Sequence, residues 1–236
     1  MTDKKKDATK KKVAIVGLAP HYILAPFDDP SFEIWGLNNG YQFEGFKRWD
    51  RWFQLHDLRF YDAGPKADPI PEILQRYASW ECPVYMFDKY LQVPNAIRFP
   101  YEKLIEEFGT YFNNSISWMI AFAIHEGFEE IHIYGVDMAV GTEYSEQRPS
   151  CEYFIGLARG RGIKVYMPEE SRLLKTKYIY GCQVEEETAY KKQQEIRKNT
   201  CIKRRDEAEA QEMNYRDMKN QFAGAILAIN EALREL

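Results

Sequence analysis

A chain of 236 residues that is 45% hydrophobic can bury a full core, so one α/β domain with an extension is the default expectation. A formal net charge of −4 separates it from duplex-DNA binders, whose footprint is basic, and disfavours nucleic acid as a partner. The four cysteines show no CxxC and no paired spacing with histidine, which suits free thiols in a reducing compartment.

Lys4, Lys5, Lys6, Lys10, Lys11 and Lys12 make the N-terminus basic, and residues 1–11 read as a disordered, solvated tail in preference to a nucleic-acid arm. Residues 13–20, Val-Ala-Ile-Val-Gly-Leu-Ala-Pro, form an apolar run closed by glycine and proline: a buried strand and its exit loop. Turn residues Pro26, Asp28, Asp29 and Pro30 follow. A second strand is expected over 33–39, ending in Asn38-Asn39, and a third over 52–56, with Asp57 at its end. Proline-laced sequence leads to a short helix over 72–79, a strand over 83–87, a loop over 89–100 and a helix over 101–108. Residues 115–126 are apolar on most faces, as in a buried helix. A strand over 131–136, a polar loop, a helix over 151–161 and a strand over 164–168 complete the alternation. Such interleaving predicts a Rossmann-like three-layer α/β domain with a parallel sheet over residues 12–181.

Beyond Gly181 there is no proline and only Gly224, so residues 182–236 are expected to be a helical extension. Tyr215, Met218, Phe222, Ala225, Ile229, Ala232 and Leu236 recur at alternating steps of three and four. That stripe either packs back on the domain or joins copies into a homo-oligomer. No apolar run reaches the ~20 residues that span a bilayer, so a soluble cytoplasmic protein with no membrane partner is expected.

Chemistry concentrates in four places. Ala19, Pro20 and His21 follow the first strand, but the GxGxxG dinucleotide fingerprint is absent; His21 is either a loop residue or a functional one. The amides of Asn38 and Asn39 can meet both donor and acceptor edges of a base or sugar, or Asn39-Gly40 simply makes a turn. Asn113, Asn114 and Ser115 open the apolar helix, as N-caps, as a cradle for an anion at the free N–H groups, or as both. Asp137 and Met138 close a buried strand at the edge where open α/β sheets bind ligands; Asp137 suits a ribose hydroxyl, a metal or a loop cap. Tyr144, Gln147 and Arg148 then suit a base or an anion, although Arg148 can equally pair with Glu143 or Glu152. His21, His56 and Asp57 are the candidate acid/base groups. HExxH, P-loop, GxSxG and zinc spacings are absent, and no metal site is read.

The order apolar strand, glycine, small loop with proline; Gly-Leu-Asn-Asn; small polar residues opening a helix; and Gly-Phe-x-x-Ile-x-Ile-x-Gly-Val-Asp resembles bacterial CMP-sialic-acid-dependent sialyltransferases. It is also similar to the related motility-associated-factor and pterin-pyrophosphokinase-like Rossmann proteins, and the Ala-Pro…Asp-Pro-Ser-x-Glu-Ile-Trp-Gly-Leu-Asn pattern to a group of tailed-phage proteins. The resemblance spans residues 13–138. It implies a phage-encoded nucleotide- or nucleotide-sugar-binding protein of glycosyltransferase type in the host cytoplasm, with Ala19, Pro20, Asn38, Asn114 and Ser115 at the nucleotide and Asp137 at the strand end. Two departures stand out. The first loop reads Gly-Leu-Ala-Pro-His where the family reads Gly-x-Gly-Pro-Ser, and no histidine follows His132 to serve as the family's lid base. Binding therefore transfers better than catalysis. The rival readings are a non-catalytic protein sequestering a host nucleotide, and a phosphoryl transferase with Asp137, Glu143 or Asp57 holding Mg²⁺.

Overall fold

The computed structural model describes residues 12–56, 72–138, 144–176 and 179–234. The basic tail, Asp57, the prolines at 65–71 and Glu143 lie outside the described residues. Seven strands share one sheet: β1 (Lys12–Val16), β2 (Phe32–Leu37), β3 (Arg51–Gln54), β4 (Val84–Met86), β5 (Ala96–Arg98), β6 (Glu130–Tyr134) and β7 (Lys164–Tyr166). All neighbours pair in parallel, in the order β5-β4-β3-β2-β1-β6-β7. Between them run α1 (Glu72–Ala78), α2 (Tyr101–Phe108), α3 (Ser115–His125) and α4 (Tyr144–Gly160), so the expected Rossmann-like α/β class is the observed one.

Both faces of the sheet are covered, and strand period decides which residue goes where. Val13, Ile15, Trp35, Leu37 and Phe53 pack with Met119, Ile120 and Phe122 of α3, while Ala14, Val16, Ile34, Trp52, Val84 and Met86 pack with Leu74 and Tyr77 of α1. Two buried faces leave no polar side to alternate, which is why the strands read as continuous apolar runs. Gly36 is fixed by this packing: a Cβ there would lie 2.1 Å from the Trp52 ring of the neighbouring strand.

The structure corrects two sequence expectations. The expected loop over 89–100 contains β5, whose three residues Ala-Ile-Arg carry too little pattern to register. Helix α4 begins at Tyr144, not 151, with Pro149 in its second turn. Contacts to Asn113 and Asn114 hold that early turn, so its start is set by tertiary partners that no local pattern announces.

The chain divides into two compact units between Lys175 and Thr176. The second contains α5 (Gln183–Arg234), one helix of 52 residues. Among the described residues no helix is long and apolar enough to cross a membrane.

Candidate functional site

Strand order reverses between β1 and β6: β1 to β5 extend to one side, β6 and β7 to the other. In open α/β sheets the crevice outside the carboxyl ends at such a switch point is where ligands bind. Here the two loops leaving β1 and β6 are sewn together. Gly17 N–H donates to the Tyr134 carbonyl at 2.8 Å and Ala19 N–H to the Gly135 carbonyl at 2.7 Å. The Gly135 N–H in turn donates to Nδ1 of buried His21 at 3.0 Å. That bond requires an unprotonated Nδ1, so His21 holds the two loops in register. Pro20 supplies the first residue of a short 3-10 turn, Pro20–Leu24, that carries His21 into position.

Asn38 leaves β2 beside this junction. Leu18 of the first loop lies against Gly40, where an added Cβ would meet its Cδ2 at 3.1 Å, so the two loops are adjacent. Asn38 is in the left-handed region at φ 50°, uncommon for a residue with a Cβ. Its backbone is firmly held: the N–H donates to Phe53 at 3.0 Å, and the carbonyl accepts from Trp52 Nε1 at 3.2 Å and Tyr77 Oη at 3.1 Å. Its side-chain Oδ1 is buried with no hydrogen-bond partner in the structure. Asn39 is exposed and precedes the 3-10 turn Gly40–Gln42, as an Asn-Gly turn would have it.

The mouth of α3 reaches the same rim, because the helix returns directly to β6. Asn114 is its N-cap: Oδ1 accepts from the Ser117 N–H at 2.9 Å. Its Nδ2 donates to Asn113 Oδ1, to the Gln147 carbonyl at 3.0 Å and to Ser150 Oγ at 3.0 Å. Asn113 Nδ2 donates to the Glu146 carbonyl at 2.6 Å. Both amides therefore clip α3 to the first turns of α4. Ser115, half-buried, opens the helix where the first backbone N–H groups have no partner within the helix.

Beyond β6, Asp137 is half-buried at the rim, while Met138, at φ 49°, turns into the core against Cys151. The Cys151 thiol also reaches Asn114 Oδ1 at 3.2 Å, and burial pushes its pKa up to about 12. Tyr144 opens α4, and Gln147 is half-buried on it. Arg148 is turned to structure: Nε donates to Glu152 at 2.6 Å and Nη2 to the Lys175 carbonyl at 2.6 Å. Of the two partners weighed from sequence, Glu152 is engaged, while Glu143 lies outside the described residues. His56 follows β3 with its surface exposed, though the protein beside it still desolvates the ring and lowers its pKa. The structure thus joins Ala19, Pro20 and His21 to the β6 exit, and Asn114 to Gln147 and, through Cys151, to Met138. Among the described residues, no hydrogen bond or ion pair ties the His56 or Arg148 side chain to either set. Among the described residues no group of three side chains is arranged to hold a metal ion.

Sequence reasoning missed Ser150 and Cys151, which complete the α3–α4 clip, and a cavity of about 800 Å³ lined by Glu33, Arg51, Tyr85, Lys103 and Glu126 among others. None of the expected site residues lines that cavity. Arg51 pairs there with Glu33 and with Glu126 at 2.5 Å, beneath the Trp35, Tyr85 and Phe122 rings. Charged residues interrupting two otherwise apolar strands, Glu33 and Arg51, were the available signal.

Sheet order, switch point and rim together define a doubly wound α/β protein. No family model and no curated protein matches the chain. Among solved structures, the sialyltransferase CstII of Campylobacter jejuni with CMP-3FNeuAc is similar at 18% identity and a TM-score of 0.47, over 66% of this chain and 79% of that one. The sialyltransferase CST-II with trisaccharide acceptor and CMP gives 17%, 0.47, 66% and 80%. The apo α-2,3-sialyltransferase from Campylobacter jejuni gives 15%, 0.47, 68% and 76%.

Proposed function

We propose that the protein binds a nucleotide or nucleotide-sugar at the carboxyl rim of its sheet and is of glycosyltransferase type. Asn38 carries the reading. A residue with a Cβ, held left-handed by three backbone hydrogen bonds, presents a buried amide oxygen with no protein partner beside the switch point. An unsatisfied buried acceptor marks a position shaped for something other than stability, and the left-handed backbone, which asparagine tolerates, fixes its place. A base amino group or sugar hydroxyl is the matching donor, with the Ser115 helix mouth favouring phosphate and the Asp137 carboxylate at the rim an acceptor for a ribose hydroxyl. In this reading the protein is phage-encoded and acts in a host cytoplasm, as the resemblance of its Ala-Pro…Asp-Pro-Ser-x-Glu-Ile-Trp-Gly-Leu-Asn stretch to tailed-phage proteins implies.

A thermal-shift panel of CMP, UDP, GDP and cyclic nucleotides tests it. A ligand at 100 times its Kd adds about 2.7 kcal/mol, and Asn38→Ala, by weakening binding about 3–10-fold, should cut that by roughly 0.6–1.3 kcal/mol. No shift with any member of the panel would sink the reading.

Non-catalytic sequestration is a second reading, favoured by one observation: His21 Nδ1 is committed to the Gly135 N–H. His56, whose pKa desolvation lowers, is then the remaining imidazole base on this rim among the described residues. Turnover lost in His56→Ala with nucleotide affinity kept supports transfer. Bound nucleotide recovered chemically unchanged, with no product formed, supports sequestration.

A further inference from the structure

The polar first half of α5 supports itself. Lys203 reaches Glu207 at 3.8 Å and Arg205 reaches Glu209 at 3.6 Å, one helical turn on in each case. The second half carries a different pattern. Tyr215, Met218, Phe222, Ile226, Ile229 and Leu233 fall on one face, with Ala225 among them, and all are exposed, Tyr215 by 71% and Phe222 by 64%. A helix in water is stabilised chiefly by packing such a face, and a contiguous exposed stripe marks an interaction site.

We infer that this face pairs with the same face of a second copy, antiparallel, about a two-fold axis passing between Ala225 and Ile226. Self-complementarity is the first reason. Reversing the helix about that point sets Phe222 beside Ile229 of the partner subunit, Met218 near Leu233 of the partner subunit, and Ile226 against the small Ala225 of the partner subunit at the axis. An isologous contact of this kind closes on itself.

Charge is the second reason. Lys198, Lys203, Arg204 and Arg205 form a cationic block, followed by an acidic block of Asp206, Glu207, Glu209 and Glu212. A parallel, in-register pair would lay each block against its own copy. The antiparallel pair separates the two cationic blocks by roughly 70 Å at 1.5 Å per residue, far beyond the screening length of ~8 Å.

Area is the third. Tyr215 and Phe222, aromatic side chains of about 200 Å² each that are 71% and 64% exposed, supply about a third of the ~800 Å² per partner of a stable interface. Met218, Ile226, Ile229 and Leu233 supply most of the rest. Leu227, equally exposed at 65%, lies off this face and takes no part.

Light scattering on the full chain should give twice the 27.8 kDa protomer mass. Phe222→Asp with Ile226→Asp should return the protomer mass, and Leu227→Ser should leave the dimer intact. Orientation is read in a Cys182→Ser, Cys201→Ser background. Ala225→Cys should crosslink to its copy, whereas two copies of Tyr215→Cys, roughly 30 Å apart, should not. A protomer mass for the unaltered chain overturns the inference. So does a dimer that survives the double aspartate variant, or efficient self-crosslinking through Tyr215→Cys.

Discussion

Gly17 and Gly135 approach so closely that neither can carry a side chain. A Cβ on Gly17 would lie 2.5 Å from the Gly135 carbonyl oxygen, and one on Gly135 would lie 2.4 Å from that of Gly17. Only Gly135 also needs the left-handed region, at φ 64°. Gly135→Ala should therefore cost more than Gly17→Ala: about 1–2 kcal/mol for the left-handed alanine, added to about 1–3 kcal/mol of overpacking. Urea unfolding midpoints of the two variants test the order, and equal midpoints would count against the φ argument.

Asn38 makes opposite demands on stability and binding. Asn38→Gly removes the cost of a left-handed residue with a Cβ and keeps the backbone hydrogen bonds, so the free protein should melt at the same temperature or slightly higher. Nucleotide affinity should fall by about 3–10-fold, the worth of one neutral hydrogen bond of roughly 0.5–1.5 kcal/mol. Titration calorimetry against the best nucleotide of the thermal-shift panel checks this. Unchanged affinity would give Asn38 a purely architectural role.

Asn114 fastens two helices. Asn114→Ala loses the N-cap, worth about 1 kcal/mol, together with donations to Gln147 and Ser150 worth about 0.5–1.5 kcal/mol each. A loss of roughly 2–4 kcal/mol follows. Asn114→Asp keeps the capping oxygen and loses only the donations, so its denaturation midpoint should fall between wild type and alanine.

Arg51 is held between Glu33 and Glu126 with most of its side chain out of solvent. Truncation to alanine strands two carboxylates, at a cost of about 3 kcal/mol, whereas neutralising all three together is close to harmless. Arg51→Met combined with Glu33→Gln and Glu126→Gln should recover most of the stability that Arg51→Ala loses. Chemical denaturation of both variants decides it.

Acid should weaken the fold in two steps. Burial lowers the His132 pKa despite Glu130 beside it, and desolvation lowers that of His56. Their contribution is whole above the unfolded value of about 6.5 and is lost as pH falls through the lower folded values. The hydrogen bond from Arg161 holds Glu107 below the usual carboxylate range, with His125 adding to it. That contribution is whole above about 4.3 and is lost at lower pH still. Melting temperatures across pH should show both declines. His132→Gln should flatten the first and Glu107→Gln the second.

The sheet was legible because burial on both faces writes a strand as an apolar run, as in 13–16, and a buried helix as apolar on most faces, as in 116–124. Local pattern failed where distant residues decide. The start of α4 depends on Asn113 and Asn114, some 33 residues upstream, and β5 depends on its neighbour β4. Site residues divided the same way. The helix-opening role of Asn114 is a local signal, but its commitment to Gln147 and Ser150 is not. Nor could sequence show that Arg148 is spent on Glu152 and the Lys175 carbonyl, or that His21 is locked to Gly135.

The buried Cys151 thiol, pushed up to about 12, has almost no thiolate at neutral pH, whereas Cys182 and Cys201 are exposed on the second unit. Since only the thiolate attacks an electrophile, maleimide reagents should decorate those two and spare Cys151. Fluorophores can then be attached without disturbing the Asn114 fastening between the helices.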